Sequence, residues 1–159
     1  MSNASPPRPP VVAEQRRFVV VASKFNATYV EGLIDHATQE FRKQSPQAKL
    51  VLHRVPGAFE IPIVVREIAS RKKADAIVAV GVILKGETDH AENLAGSVTN
   101  ALQRIALEYG VPVINCVLSL ENEKQARARC LEGKINRGSE AARAAVEIAA
   151  VVADLEAER

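Results

Sequence analysis

Apolar and polar residues follow one another along the chain in blocks that predict four β-strands separated by helices. The apolar runs are short, as in strands that are buried on both faces of a parallel sheet. The strands predicted from these runs comprise residues 18–22, 49–55, 76–83 and 113–118. Because the strands alternate with helical patterns, the chain is expected to be an α/β protein in which helices cover both faces of a parallel sheet.

Between the strands, apolar residues recur every three or four positions, which is the spacing of one helix face. A second helix is predicted over residues 61–70, where Pro62 suits the first turn. A third stripe begins at Leu94, and its helix is expected to stop at Gly110. The first stripe, between the first two strands, consists of Val30, Leu33, Ile34, Ala37 and Phe41.

The chain is predicted to end in two helices, residues 122–132 and 140–156, separated by a break at 133–138. Ser139 is a residue type that favours the N-cap, and it is predicted to cap the last helix. That helix is apolar over more of its circumference than one core-facing stripe needs, and a four-stranded sheet has two edges to protect. Both features favour a homo-oligomer, although wide alanine-rich faces also occur on monomers.

The first 14 residues differ from the rest of the chain, because they are rich in proline and lack periodicity. They are expected to form a flexible N-terminal arm that precedes a single domain at residues 15–159. The spacing of Pro6, Pro7, Pro9 and Pro10 resembles a PxxP recognition motif, but composition favours an ordinary unstructured terminus.

Composition narrows the classes of protein that the chain can belong to. A length of 159 residues is typical of one domain, and 47% hydrophobic residues with 4% aromatics require an aliphatic core. The net charge of +2 is too small to indicate nucleic-acid binding. Two cysteines do not make a disulfide framework, and Cys116 is most simply a small core residue. With no signal peptide and no bilayer-spanning apolar stretch, a reduced, cytoplasmic location without membrane partners is expected.

The candidate chemistry lies in the loops that follow the strands. The third predicted strand leads into GVILKGETDH, residues 81–90, which contains Gly86, Thr88 and His90. Ligands of open α/β sheets bind at the carboxyl ends of the strands. Backbone N–H groups beside a titratable imidazole would suit an anionic substrate that must also exchange protons.

Two other strand ends carry candidate binding residues, each with a structural alternative. Asn26 fits a helix N-cap and Phe25 a core position, but an exposed Phe25 could also stack on a planar ring. The segment at 56–62, PGAFEIP, is an ordinary turn signal that can also expose free N–H groups to a ligand. The helix dipole alone explains Glu60.

His90 stands out among the three histidines. His36 and His53 have patterns typical of structural positions, whereas His90 follows a glycine-containing loop beside Asp89 and near Glu92. Its position alone leaves a chemical and a structural role open.

The closing segments contain a cluster of cationic residues, namely Arg127, Arg129, Lys134 and Arg137. This cluster fits either a solvated face or a site that binds phosphate through a bidentate arginine contact.

Taken together, these motifs resemble lumazine synthases. The motifs occur in the order of that family: FN at 25–26, PGAFEIP at 56–62, GETDH at 86–90, and EN-x-x-QA-x-x-R before a G-x-x-N-R-G break. The resemblance covers nearly all of residues 17–157. It implies a three-layer fold with a four-stranded parallel sheet in the flavodoxin-like order 2-1-3-4. It also implies a condensation of 5-amino-6-(D-ribitylamino)uracil with 3,4-dihydroxy-2-butanone 4-phosphate, which gives 6,7-dimethyl-8-ribityllumazine, phosphate and water without a metal or redox cofactor.

The resemblance also assigns roles to residues. His90 is the proton shuttle, Phe25 stacks on the pyrimidine, and Arg129 is the main cationic partner of the phosphate. The substrate-binding residues that it implies are Phe25, Asn26, Gly57, Ala58, Phe59, Glu60, Val82, Ile83, Leu84, Gly86, Glu87, Thr88, Asn115, Arg129 and Arg137.

Three positions depart from the family pattern, and the sequence does not decide which oligomer forms. Ala91 and Glu92 replace an aromatic residue and an aspartate, and Asn115 stands where the family often has a phenylalanine that reaches into the neighbouring subunit's site. A weak flavin-binding relative and a shell protein without activity are therefore the alternatives to an active enzyme. Members of the family assemble as pentamers, pairs of pentamers or icosahedral shells, and the short break at 133–138 favours a shell.

Overall fold

The computed structural model describes residues 3–158, so the first two residues of the predicted arm and Arg159 of the predicted domain lie outside the described residues. The strands are β1 Arg17–Ser23, β2 Lys49–Val55, β3 Ala76–Leu84 and β4 Val113–Leu120. The helices are α1 Ala27–Gln44, α2 Ile61–Ser70, α3 His90–Tyr109, α4 Glu123–Ala126 and α5 Arg137–Ala157, with a 3₁₀ turn at Ala58–Glu60 and a π-helix at Arg127–Leu131.

All strand pairs of the described sheet are parallel, and the strand order is β2-β1-β3-β4. Helices α1 and α5 cover one face and α2 and α3 cover the other. The predicted three-layer α/β fold with the order 2-1-3-4 is therefore confirmed. In this order the carboxyl ends of β1 and β3 lie side by side in the middle of the sheet.

The two faces of the sheet are packed mainly by aliphatic side chains, as the composition requires. Phe18 and Val20 of β1 point to the α1 and α5 layer, whereas Val19 and Val21 point to the α2 and α3 layer. This alternation follows from the two-residue period of a strand. The ring of Phe18 stacks on that of Phe41 with a centroid separation of 4.8 Å.

The closing segments differ from the prediction in two respects. Ser139 is not the N-cap of the last helix, because the side-chain oxygen of Asn136 accepts hydrogen bonds from the N–H groups of Gly138 and Ser139 at 2.9 and 3.2 Å. The single helix predicted for residues 122–132 is instead the short α4 followed by the π-helix.

Both cysteines are free and buried. Burial raises the pKa of Cys116 and of Cys130 to about 12 in each case, because a thiolate is poorly solvated in an apolar core. Cys116 therefore is a core residue, as the sequence indicated. None of the helices in the described part of the chain is both long and apolar enough to cross a membrane.

The described part of the proline-rich arm contacts α1 and α5 through a buried carboxylate. The Glu40 side chain, which is 4% exposed, accepts hydrogen bonds from Arg8 at 2.8 and 3.1 Å and from Arg143 at 3.1 Å. The Val12 N–H donates to the Gln44 carbonyl at 2.7 Å. The predicted flexibility of the arm stays a prediction.

Candidate active site

A cavity of about 700 Å³ opens at the carboxyl ends of β1 and β3, beside the start of α2 and α3. Most of the site residues predicted from the sequence line it. Those residues are Phe25, Asn26, Gly57, Ala58, Phe59, Glu60, Val82, Ile83, Leu84, Gly86, Thr88 and His90. Segments that lie far apart in the sequence meet here because parallel strands end at the same edge of the sheet.

The sequence-based prediction missed three residues of the lining, namely Ser23, Ala91 and Leu94. Ser23 is the last residue of β1, so its place at the strand end was a usable signal. Leu94 follows His90 by four positions on α3, and residues at this spacing share a helix face.

Asn26 joins the ends of the two central strands. It occupies the N-cap position of α1, but its side chain makes no capping hydrogen bond. Its Nδ2 instead donates to the Val82 carbonyl at 2.7 Å. Asn26 has a φ of 56°, in the left-handed region that asparagine tolerates better than most residues. The side chain therefore positions the cavity floor instead of ending the helix.

Two phenylalanine rings stand at the rim of the cavity. Phe25 is 70% exposed and Phe59 is 69% exposed, so the interpretation of Phe25 as a core residue is wrong. Exposed aromatic faces beside a pocket lined mainly by apolar groups are suited to stacking on a planar ring.

His90 is the first residue of α3, at the end of the loop that the sequence singled out. Its N–H lies 3.4 Å from the Thr88 hydroxyl oxygen. The Glu92 carboxylate is 3.8 Å from the Lys85 ammonium, which also bonds Glu121 at 2.6 Å. Because α3 is long, the partial positive charge of its N-terminus favours an anion near the His90 imidazole.

Four predicted site residues do not line this cavity. Glu87 is an exposed residue of the loop, and Arg129 lies on the π-helix. Asn115 and Arg137 line a separate hollow of about 360 Å³ between β4 and α5, which shares no lining residue with the larger cavity. Arg137 forms an ion pair there with Glu140.

The register of the sheet explains why Asn115 lies away from the cavity. Asn115 of β4 is level with Ala79 of β3, three positions before Val82 on the cavity floor. At a rise of about 3.3 Å per residue, this offset is about 10 Å along the strand. The Asn115 side chain is exposed on the edge strand, where its Nδ2 donates to the Thr99 hydroxyl at 3.1 Å.

Arg129 has a buried donor without a partner. Its Nε is out of contact with solvent and makes no hydrogen bond to any described residue. A buried N–H without an acceptor is costly, but the Nε atoms of Arg16 and Arg17 are in the same situation, so this feature alone does not mark a ligand site.

Comparison with known proteins connects this geometry to one group of enzymes. Residues 15–153 match the family model described as 6,7-dimethyl-8-ribityllumazine synthase. A protein of that name from Halorhodospira halophila is 38% identical over 148 residues, which are 92% of this chain and 95% of the relative. Another of the same name, from Leptothrix cholodnii, is 40% identical over 140 residues, covering 87% of this chain and 88% of the relative.

Proposed function

The chain belongs to the 6,7-dimethyl-8-ribityllumazine synthase family of riboflavin-biosynthesis transferases, and from this we propose that it condenses 5-amino-6-(D-ribitylamino)uracil with 3,4-dihydroxy-2-butanone 4-phosphate. The products are 6,7-dimethyl-8-ribityllumazine, phosphate and water. The observation that carries the proposal is the single cavity in which exposed phenylalanine rings, a glycine-containing turn and His90 occur together.

The apolar side of the cavity suits the pyrimidine substrate. Phe25 stacks on the ring, and the backbone of Val82 and Ile83 reads its polar edge at the end of β3. The ribityl chain lies along Ala58 and Glu60, where the 3₁₀ turn supplies backbone groups beside a carboxylate.

The loop before α3 suits the phosphate of the second substrate. Gly86, Glu87 and Thr88 offer N–H groups and a hydroxyl close to the positive end of α3. Arg129 supplies the opposing cation, because a guanidinium can hold two phosphate oxygens at once.

His90 moves protons between the two substrates. Formation of the imine, loss of phosphate and closure of the ring each require a proton transfer at a different atom. His90 lines the cavity that is proposed to hold both substrates, and an acid or base of this kind contributes roughly 10²–10⁴-fold to a rate. The remaining acceleration comes from holding the two reactants together.

A complete site requires a second copy of the chain. Asn115 and Arg137 line a different hollow on their own chain, and Arg129 is outside the lining of the cavity. We therefore propose a homo-oligomer built of pentamers in the cytoplasm, in which one copy supplies His90 and the phosphate loop and its neighbour supplies Asn115, Arg129 and Arg137. A pentamer, a pair of pentamers and an icosahedral shell all satisfy this requirement.

Product formation tests the proposed activity. Purified protein is incubated with both substrates, and the fluorescence of the lumazine product is followed over time. A rate no higher than the spontaneous condensation would reject the activity. Riboflavin binding without product would support the flavin-binding alternative, which is favoured by the polar, exposed Asn115 in place of an aromatic residue. Mass measurement in solution distinguishes a pentamer, a pair of pentamers and a shell.

A further inference from the structure

The π-helix Arg127–Leu131, which carries Arg129, is held closely by one face of α1. A Cβ placed on Gly32 would lie 2.4 Å from the Cys130 carbonyl oxygen, so only glycine lets the two backbones approach this far. The Nε2 of His36 is 3.1 Å from the Leu131 carbonyl oxygen. Because a carbonyl only accepts, Nε2 carries the proton of this hydrogen bond. Gly32 and His36 are four residues apart and therefore share the face that meets the π-helix.

The C-terminal end of the π-helix is also held by Asn136, which is 2% exposed. Its Nδ2 donates to the Glu132 carbonyl at 3.0 Å, while its Oδ1 accepts from the N–H groups of Gly138 and Ser139. One amide thus joins the residue after the π-helix to the first turn of α5.

These contacts provide hydrogen-bond donors for carbonyl groups at the end of the π-helix. The Glu132 N–H donates to the Arg127 carbonyl at 3.1 Å, which is a hydrogen bond to the fifth preceding residue. Such turns are rare and are frequently found at functional sites. The carbonyls at the end of a helix also need partners from outside it. His36 and Asn136 supply partners for the carbonyls of Leu131, the last residue of the π-helix, and of Glu132, the residue after it.

We propose that Asn136 and His36 are positioning residues for Arg129, an inference that rests on the proposed role of Arg129 in binding the phosphate. A bidentate grip on phosphate depends on the direction of the guanidinium. The backbone that sets this direction is fixed at Leu131 and Glu132, two and three residues after Arg129.

Asn136→Asp separates positioning from capping. Aspartate keeps the oxygen that caps α5 but replaces the donor to the Glu132 carbonyl with an acceptor. We expect the Kd for inorganic phosphate and the KM for the phosphate substrate to rise about tenfold, while the KM for the pyrimidine substrate stays within about twofold. The matched control is Asn122→Asp, the same change at the exposed N-cap of α4, where Oδ1 accepts from the Gln125 N–H at 2.9 Å. This control should leave both KM values unchanged.

A second pair of variants tests the positioning role at His36. This pair still tests the proposal if Asn136→Asp does not fold. His36→Leu removes the donor to the Leu131 carbonyl, whereas His36→Gln retains an N–H donor. Phosphate affinity should fall in the leucine variant and recover in the glutamine variant. Equal affinities in these two folded variants would contradict a positioning role for His36.

The coupling between Asn136 and Arg129 gives the strictest measurement. If Asn136 acts through Arg129, adding Asn136→Asp to Arg129→Ala causes no further loss of phosphate affinity. Independent losses that add would overturn the inference, and so would an Arg129→Ala variant that binds phosphate as the wild type does. If the wild type binds phosphate but forms no product, the proposed reaction is wrong and the positioning role is not affected. If the wild type is active and Asn136→Asp does not change phosphate binding, the positioning role is wrong and the proposed reaction is not affected.

Discussion

At the scale of single residues, the three histidines differ in what surrounds them. His36 is half-buried and hydrogen-bonded to a carbonyl, and His53 is exposed on the edge strand β2. His90 alone among them lines the large cavity. The role proposed for it therefore depends on its place at the start of α3, beside a loop suited to phosphate.

His90→Ala is expected to lower kcat by roughly 10²–10⁴-fold, because it removes the group that is proposed to move protons. The KM values for both substrates should change little, since other residues hold them. Steady-state kinetics with the lumazine fluorescence assay measures both quantities. His53→Ala is the matched control and should keep the wild-type kcat, whereas a wild-type kcat in His90→Ala would remove His90 from the mechanism.

At the scale of elements, the sequence predicted a helix end correctly where the type of the terminal residue determines it. Gly110 ends α3 in the left-handed conformation, with a φ of 66°, as its residue type indicated. The start of α5 could not be predicted in this way. A Cβ on Gly138 would lie 2.2 Å from the Leu33 carbonyl oxygen, so packing against α1 fixes the first turn and makes Asn136, not Ser139, the cap.

The contact between α1 and the π-helix can be tested with one added methyl group. Gly32→Ala places Cβ against the backbone at Cys130, which cannot move aside as a side chain can. We expect a loss of about 1–3 kcal/mol in the free energy of unfolding. Gly96→Ala is the control, because its Cβ would meet nothing within 4 Å on α3 and alanine favours a helix by about 1 kcal/mol. Denaturant unfolding should therefore shift in opposite directions for the two variants, and an unchanged Gly32→Ala midpoint would contradict the close approach.

The arm is held to α1 and α5 by charge, so its attachment should depend on pH. Burial opposes ionisation of Glu40, but the hydrogen bonds from Arg8 and Arg143 outweigh it and lower the pKa of Glu40 below its ordinary value of 4.5. A carboxyl whose pKa is lower in the folded state stabilises the fold above its unfolded-state pKa and loses this contribution as the pH falls through the folded-state value. The arm should therefore stay attached at neutral pH and detach only under acid conditions below 4.5.

Glu40→Gln is expected to release the arm at neutral pH, because it removes the charge that both arginines contact. Hydrogen exchange at the Val12 N–H, which donates to the Gln44 carbonyl, reports the attachment directly. We expect this amide to exchange about tenfold faster in the variant. Exchange in the β3 core should not change, and equal protection of Val12 in both proteins would contradict attachment through Glu40.

At the scale of the whole molecule, the sequence predicted only one part of the candidate site, namely the residues that meet in one cavity of a single chain. The residues after β1, β2 and β3 could be assigned to one cavity, because the carboxyl ends of parallel strands share an edge. Asn115 and Arg137 could not be placed from the sequence, since their position depends on strand register and on the packing of α5. This division agrees with a proposed site that spans two copies.

Mixing two variants that each lack one residue of the proposed site distinguishes a shared site from one that lies within a single chain. In an oligomer refolded from equal amounts of His90→Ala and Arg129→Ala, a shared site works when each of two neighbours supplies its intact residue. With random neighbours, about a quarter of the wild-type activity should return. A site within one chain would recover nothing, because every chain then lacks one of the two residues.

Refolding the wild type with an equal amount of the double variant His90→Ala/Arg129→Ala provides the control. A shared site again requires two intact neighbours, so about a quarter of the activity of the same total amount of wild type is expected. A site within one chain needs only an intact chain and would keep about half of that activity. The two mixtures should therefore agree if His90 of one copy works with Arg129 of the next, and they differ most if both residues act in the same copy. Half activity in the control with none in the first mixture would exclude the shared site that the two separate cavities of the chain suggest.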